Sequence, residues 1–318
     1  MDNKRIQYHA TGLNLFLILL KNAFLTVFTF FIYHFWAKTN VQKFVAENVE
    51  WAGERFSFHG TGKERFIGFL KALVLVIGAA IILGIINTIV GMIVSQSIVQ
   101  IVSTILTAAL FLTIAPFILV GRTKYLTSRT GYRNLRFGFN GKGLELGKIY
   151  LRGGLLSIIT LGIYFPWFYI EQETYIKNNI RYGNANFGFQ ADGKEFFFLC
   201  LKGIFLSIVT LGIYGAWFSA EIQNYIWGKT TFQGKKFSSD ITGGQIFLNL
   251  FISYLLVIFT LGIAFPWAVV RMTKLYLESV SLETEIDFST ITAQPDATAS
   301  ATVEGVEALA EALEGFIG

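Results

Sequence analysis

One cysteine, three histidines and four prolines are all that 318 residues contain of these types. The single cysteine, Cys200, excludes an internal disulfide and any cysteine metal cluster. His9, His34 and His59 show no helical metal-ligand spacing, so no metal or cofactor is expected. Charge is scarce as well, at 15%, against about 25% in ordinary soluble domains. No lysine or arginine occurs beyond residue 277, where nine acidic residues accumulate, while residues 1–277 hold 26 basic and 12 acidic ones. No basic soluble module is present to bind nucleic acid. Gly60-Thr61-Gly62-Lys63 lacks the spacing of a phosphate loop, and no nucleophile elbow or dinucleotide fingerprint occurs, so no enzyme is expected.

What is abundant is repetition. Units begin at Ile6, Phe56, Phe137, Phe187 and Phe237, fifty residues apart except after unit two, which carries 31 extra residues. Phe-x-Phe recurs at Phe56/Phe58, Phe137/Phe139 and Phe187/Phe189, and Thr-Leu-Gly-Ile at Thr160, Thr210 and Thr260. Trp36, Trp167, Trp217 and Trp267 each lie thirty residues into a unit, and Pro116, Pro166 and Pro266 share one column. A fixed period of this length marks a repeat architecture.

The apolar runs near 13–36, 66–93, 97–121, 149–170, 196–219 and 246–270 are each long enough to span a bilayer, for which roughly 20 residues suffice. They predict a mainly α, polytopic membrane protein with about six transmembrane helices in five repeats of about fifty residues, joined by short β-hairpin linkers. In that scheme residues 1–280 form the membrane domain, 281–302 an acidic disordered linker, and 303–318 a short acidic amphipathic helix suited to a protein partner. The linkers 37–65, 122–148 and 220–245 share one side with 15 basic residues against seven on the other, which places them in the cytoplasm. The alternative, in which each unit breaks at Leu-Gly-Ile and returns, meets an objection: the segment after Trp167 reaches Glu171 too soon to recross lipid.

Within the linkers, Phe-x-Phe places two rings on one strand face, and Asn140-Gly141 and Asp192-Gly193 predict the hairpin turns. Lys21, Lys71, Arg152 and Lys202 share a column and are the candidate solute- or lipid-contacting cations, either snorkelling to anionic headgroups or facing an internal pathway. Glu171 and Glu221 share a column beside Lys177 and Arg181, which predicts ion pairing. The tryptophans suit an interfacial belt, and the prolines mark helix breaks.

The in-register Phe-x-Phe-x-Gly segments, the Asp-Gly turn and the Thr-Leu-Gly-Ile-Tyr-x-Pro-Trp segment resemble the YjgN-like bacterial inner-membrane proteins of unknown function over residues 6–280. The resemblance implies a multi-pass bacterial inner-membrane location and brings no activity or catalytic residues. The functional expectation is a transporter- or channel-like protein for a small anionic solute; the alternative is a non-transporting envelope protein that organises membrane or recruits a partner.

Overall fold

The computed structural model describes residues 5–284 and 286–293. Of the linker expected over 281–302, residues 281–284 and 286–293 are described; its remainder and the helix expected over 303–318 lie outside the described residues.

The fifty-residue period is a unit of helix, tight turn, helix, strand, turn and strand. After β1 (Gln7–Tyr8), unit one runs through α1 (Gly12–Phe28), α2 (His34–Glu47), β2 (Val49–Trp51) and β3 (Glu54–Arg55). Then come β4 (Ser57–Phe58), α3 (Gly62–Gly91), α4 (Gln96–Arg129), β5 (Thr130–Tyr132) and β6 (Leu135–Phe139). The third unit is α5 (Gly143–Ile159), α6 (Phe165–Asn178), β7 (Ile180–Tyr182) and β8 (Ala185–Phe189). The fourth is α7 (Gly193–Val209), α8 (Gly215–Gly228), β9 (Thr230–Phe232) and β10 (Lys235–Ser239). The fifth ends the series with α9 (Gly243–Phe259), α10 (Phe265–Glu278) and β11 (Val280–Leu282).

This is a mixed α/β architecture and corrects the expected six-helix polytopic one. Four of the six apolar runs fall on hairpins of a 17-residue and a 14-residue helix, not on single crossings. Thr-Leu-Gly-Ile makes the reversal. Leu161 and Gly162 both take left-handed backbone, with φ of 52° and 89°, and the Gly162 amide donates to the Ser157 carbonyl at 2.7 Å. That is a glycine-type helix C-terminus. The Thr160 hydroxyl donates to the Leu156 carbonyl and accepts the Tyr164 amide, tying the end of one helix to the start of the next. The surplus in unit two lengthens its hairpin, to helices of 30 and 34 residues, and adds no further element. Among the described residues one helix, Gln96–Arg129, is long and apolar enough to cross a membrane.

The strands form an eight-stranded sheet of order β11-β10-β9-β8-β7-β6-β5-β4 and a three-stranded sheet β1-β2-β3, antiparallel throughout. Two junctions join them into one circuit. The Phe56 amide, between β3 and β4, donates to the Val49 carbonyl at 3.0 Å, and the Ile6 amide donates to the Val280 carbonyl at 3.2 Å. The helices close in parallel, each packing on the next around the ring and α10 on α1. A closed circuit leaves no free strand edge.

The hairpin turns fall at Ala52-Gly53, Arg133-Asn134, Gly183-Asn184 and Gln233-Gly234, where positive φ is found. Asn140-Gly141 and Asp192-Gly193 instead lead into helices. Asp192 is an N-cap whose carboxylate accepts the Lys194 amide at 2.8 Å.

The ring is filled by aromatics. Phe56, Phe137, Phe187 and Phe237 form a chain with neighbouring centroids 6.1, 6.3 and 6.3 Å apart. Against it pack Trp51, Tyr132, Tyr182, Phe232 and Leu282, all buried. The Tyr182 hydroxyl donates to the Tyr132 carbonyl and the Tyr132 hydroxyl to the Trp51 carbonyl, so each buried phenol is satisfied one unit back. The second ring of each Phe-x-Phe serves the next layer: Phe139 packs with Val120 and Leu146, and Phe189 with Ile170 and Phe196.

Candidate functional site

The cation, tryptophan and proline columns singled out in the sequence lie in the helical ring, and packing explains most of them. Trp36 rests on Gly62, Trp167 on Gly193, Trp217 on Gly243 and Trp267 on Gly12; in unit two Phe117 rests on Gly143. A Cβ at any of these glycines would lie 2.2–2.4 Å from the ring atoms. The tryptophan column is therefore the seam between units. Pro166 and Pro266 occupy the first turn of α6 and α10, where a proline's missing amide costs nothing. Pro116 is buried inside the continuous helix α4. The prolines thus do not break helices; the left-handed Leu-Gly pairs do.

Two members of the cation column are paired within their own units. Arg152 Nη2 lies 2.6 Å from Glu171, which also accepts the Tyr164 hydroxyl at 3.2 Å. Fifty residues on, Lys202 Nζ lies 2.7 Å from Glu221, which accepts the Tyr214 hydroxyl at 2.9 Å. Hydrogen bonding to these carboxylates pushes both cations above their ordinary pKa. Glu171 and Glu221 therefore pair with the cations of their own unit's first helix, not with Lys177 and Arg181. Lys21 is exposed on α1, and the side chain of Lys71 lies outside what is described. Beside Arg152 and Glu171 a cleft of about 550 Å³ opens between α5, α6 and the start of α7, walled by Ile149, Trp167, Ile170 and Tyr175.

The basic linkers are also engaged. Arg129 pairs with Glu64 at 2.9 Å and Lys229 with Glu195 at 2.8 Å. Arg133 donates to the Ala52 carbonyl and stacks over Phe288, while Arg181 is buried and donates to Asn140. Lys177 points at the rings of Phe189 and Trp227 and donates to Thr230; burial pushes it down to about 8 even with Glu173 3.8 Å away. Partners from the ring itself hold these cations, which removes the basis for an anionic lipid surface as their partner.

The apolar side chains go the other way. Leu161, Leu211 and Leu261, at the tips of three hairpins, are more than nine-tenths exposed, and Phe30, Phe31, Ile163, Ile213, Ile263 and Phe259 are at least half exposed. Both ends of every hairpin are anchored at the strand circuit, so the tips of the four equivalent hairpins lie on the far side of the ring as a crown, and the longer hairpin of unit two projects past them. Hydropathy registered these residues as spanning runs; their place at a turn was invisible to it.

With six expected crossings reduced to one helix of sufficient length among the described residues, the multi-pass inner-membrane location and the transporter or channel function lose the observation they rested on. Among the described residues no group of three or more metal-ligating side chains comes together.

A family model described as bacterial protein of unknown function (DUF898) matches residues 3–204, 186–248 and 215–309. The overlapping matches cover nearly the whole chain. No curated protein and no solved structure matches it significantly.

Proposed function

We propose, from the premise that this chain belongs to the DUF898 family of bacterial proteins, the family of the YjgN-like proteins, that it is a contact module rather than an enzyme: a closed, rigid ring that works by burying its apolar crown against another apolar surface. The crown carries this conclusion. Contiguous apolar patches larger than a few hundred Å² are rare on monomers that remain free in water and mark places of association. Here the four tips of equivalent units present Phe30, Leu161, Leu211 and Leu261 nearly fully exposed. Their turns are fixed by paired left-handed residues and threonine hydrogen bonds, so the exposure is built in rather than a frayed end.

The ion pairs of the helical ring support the same conclusion. Glu171 and Glu221 are each held by a cation and a tyrosine, leaving them as struts between paired helices.

The test is association state. Sedimentation of the purified chain is expected to show large assemblies in plain buffer that a mild detergent disperses to single rings. The triple variant Leu161→Glu, Leu211→Glu, Leu261→Glu is expected to remain single in both, with an unchanged circular dichroism spectrum. A wild-type chain that is monodisperse in plain buffer would refute the proposal.

A further inference from the structure

The repeat supplies its own controls, and unit two departs from them at one place. In units one, three, four and five the fourth residue of the first helix is Leu15, Leu146, Phe196 or Ile246, each buried. In unit two that column holds Arg65, which is 8% exposed. Its guanidinium donates to Gln42 of α2 and lies over the ring of Tyr125 of α4, 5.0 Å from the centroid. Its Nε is buried with no hydrogen-bond partner.

Tyr125 departs too. The equivalent Tyr175 hydroxyl accepts the Lys142 amide at 2.6 Å and lies 3.0 Å from both the Lys142 carbonyl and Glu145. Tyr225 does the same with Asp192 and Glu195. In unit two the equivalent amide, that of Thr61, donates to Glu64 instead, and Glu64 is turned to Arg129. The buried Tyr125 oxygen faces only the Arg65 guanidinium, so its own O–H is left without an acceptor. Buried donors with no acceptor cost the fold until one arrives.

Two more cations stand at the same seam. Lys38 is the one charged residue in a column otherwise filled by Leu119, Tyr169, Ser219 and Val269, and Arg122 the one in a column of Val41, Gln172, Ile222 and Met272. Burial lowers the Lys38 pKa, and Arg65 and Arg122 lower it further. Exposure grades outward from buried Arg65 through half-buried Lys38 to exposed Arg122, an entry path marked by positive charge.

We propose that the seam of α2, α3 and α4 is an oxyanion site, in which Arg65 and Tyr125 donate to a tetrahedral phosphate-like group and Lys38 and Arg122 balance its charge. Donors from three helices suit an anion with several oxygens in three dimensions; a planar carboxylate is satisfied by one guanidinium fork. The shared chemistry is a phosphate group, free or as a monoester. This site is separate from the apolar crown and does not depend on its role.

The test is binding of inorganic phosphate to the full chain, dispersed in detergent, by isothermal titration and by the thermal midpoint, with ionic strength held by chloride. Saturable binding and a rise of the midpoint are expected. Arg65→Leu restores the apolar column and is expected to fold while losing at least tenfold in affinity. Tyr125→Phe and Arg122→Ala, which leave the buried column untouched, are each expected to weaken binding severalfold, keeping the test valid should Arg65→Leu not fold. Glycerol 3-phosphate in place of the free ion ranks the two sources, and tight binding of either supports the site. Absence of phosphate binding beyond chloride, affinity unchanged in folded Arg65→Leu or in the other two variants, or acetate binding as tightly as phosphate would overturn it.

Discussion

Trp267, in the last unit, lies flat on Gly12, which opens the first helix of the first unit, with the ideal Cβ position 2.3 Å from the indole. It is the same contact that Trp36, Trp167 and Trp217 make with Gly62, Gly193 and Gly243, and it turns a linear repeat into a ring.

Gly12→Ala is therefore expected to destabilise the fold by about the 1–3 kcal/mol usual for overpacking, because the methyl group overlaps the indole and the seam must shift to admit it. Gly244→Ala, in the same kind of helix start but with nothing within 4 Å, should be neutral or stabilising by up to about 1 kcal/mol. Chemical denaturation of the two variants in parallel checks the contrast, and equal effects would refute the seam.

The aromatic filling makes a second prediction. Phe232 is 1% exposed among Tyr182, Phe187 and Trp51. Phe232→Ala should cost about 3–5 kcal/mol. By contrast Arg152→Ala, which removes one half of an exposed ion pair, should cost under about 1 kcal/mol. A cost for Arg152→Ala approaching that of Phe232→Ala would show that the pair is buried in the working state.

Stability should peak in mild alkali. Folded Lys177 releases its proton near pH 8, whereas an unfolded lysine holds it to about 10.4. Between those values the unfolded chain binds more protons, so stability rises with pH. Tyr169, Tyr175, Tyr182 and Tyr225 are pushed up to about 12 by burial, whereas unfolded tyrosines ionise near 10. Above pH ~10 the unfolded chain therefore binds fewer protons and stability falls. Denaturation between pH 7 and 12 should show a rise and then a decline, and Lys177→Met should reduce the rise while leaving the decline.

The period, the Phe-x-Phe strands and the tryptophan columns were visible in the sequence because each unit repeats its local chemistry. Their meaning was less visible. The run 149–170 is continuous in hydropathy, yet it contains the end of α5, a turn and the start of α6, because Leu161 and Gly162 are apolar and turn by backbone conformation alone. Strand pairing such as Phe137 with Tyr182 joins residues that single-sequence patterning cannot connect. Attention to the Lys21, Lys71, Arg152 and Lys202 column followed charge that repeats. Arg65, Lys38 and Arg122 were missed because they do not repeat, and the departure of Arg65 from its apolar column was the available signal.

The most direct measurement is a crosslink between β8 and β9. Six crossings would put the segments 171–195 and 220–245 on opposite sides of a membrane, whereas in the ring Gly188 and Thr231 are paired neighbours. The ideal Cβ at Gly188 lies 4.0 Å from the Thr231 Cβ, within the usual disulfide range of about 3.5–4.5 Å. In a Cys200→Ser background, Gly188→Cys with Thr231→Cys should form an intrachain disulfide under mild oxidation, seen as a mobility shift reversed by reductant. Two thiols that stay free, or that crosslink only between chains, would contradict the closed ring.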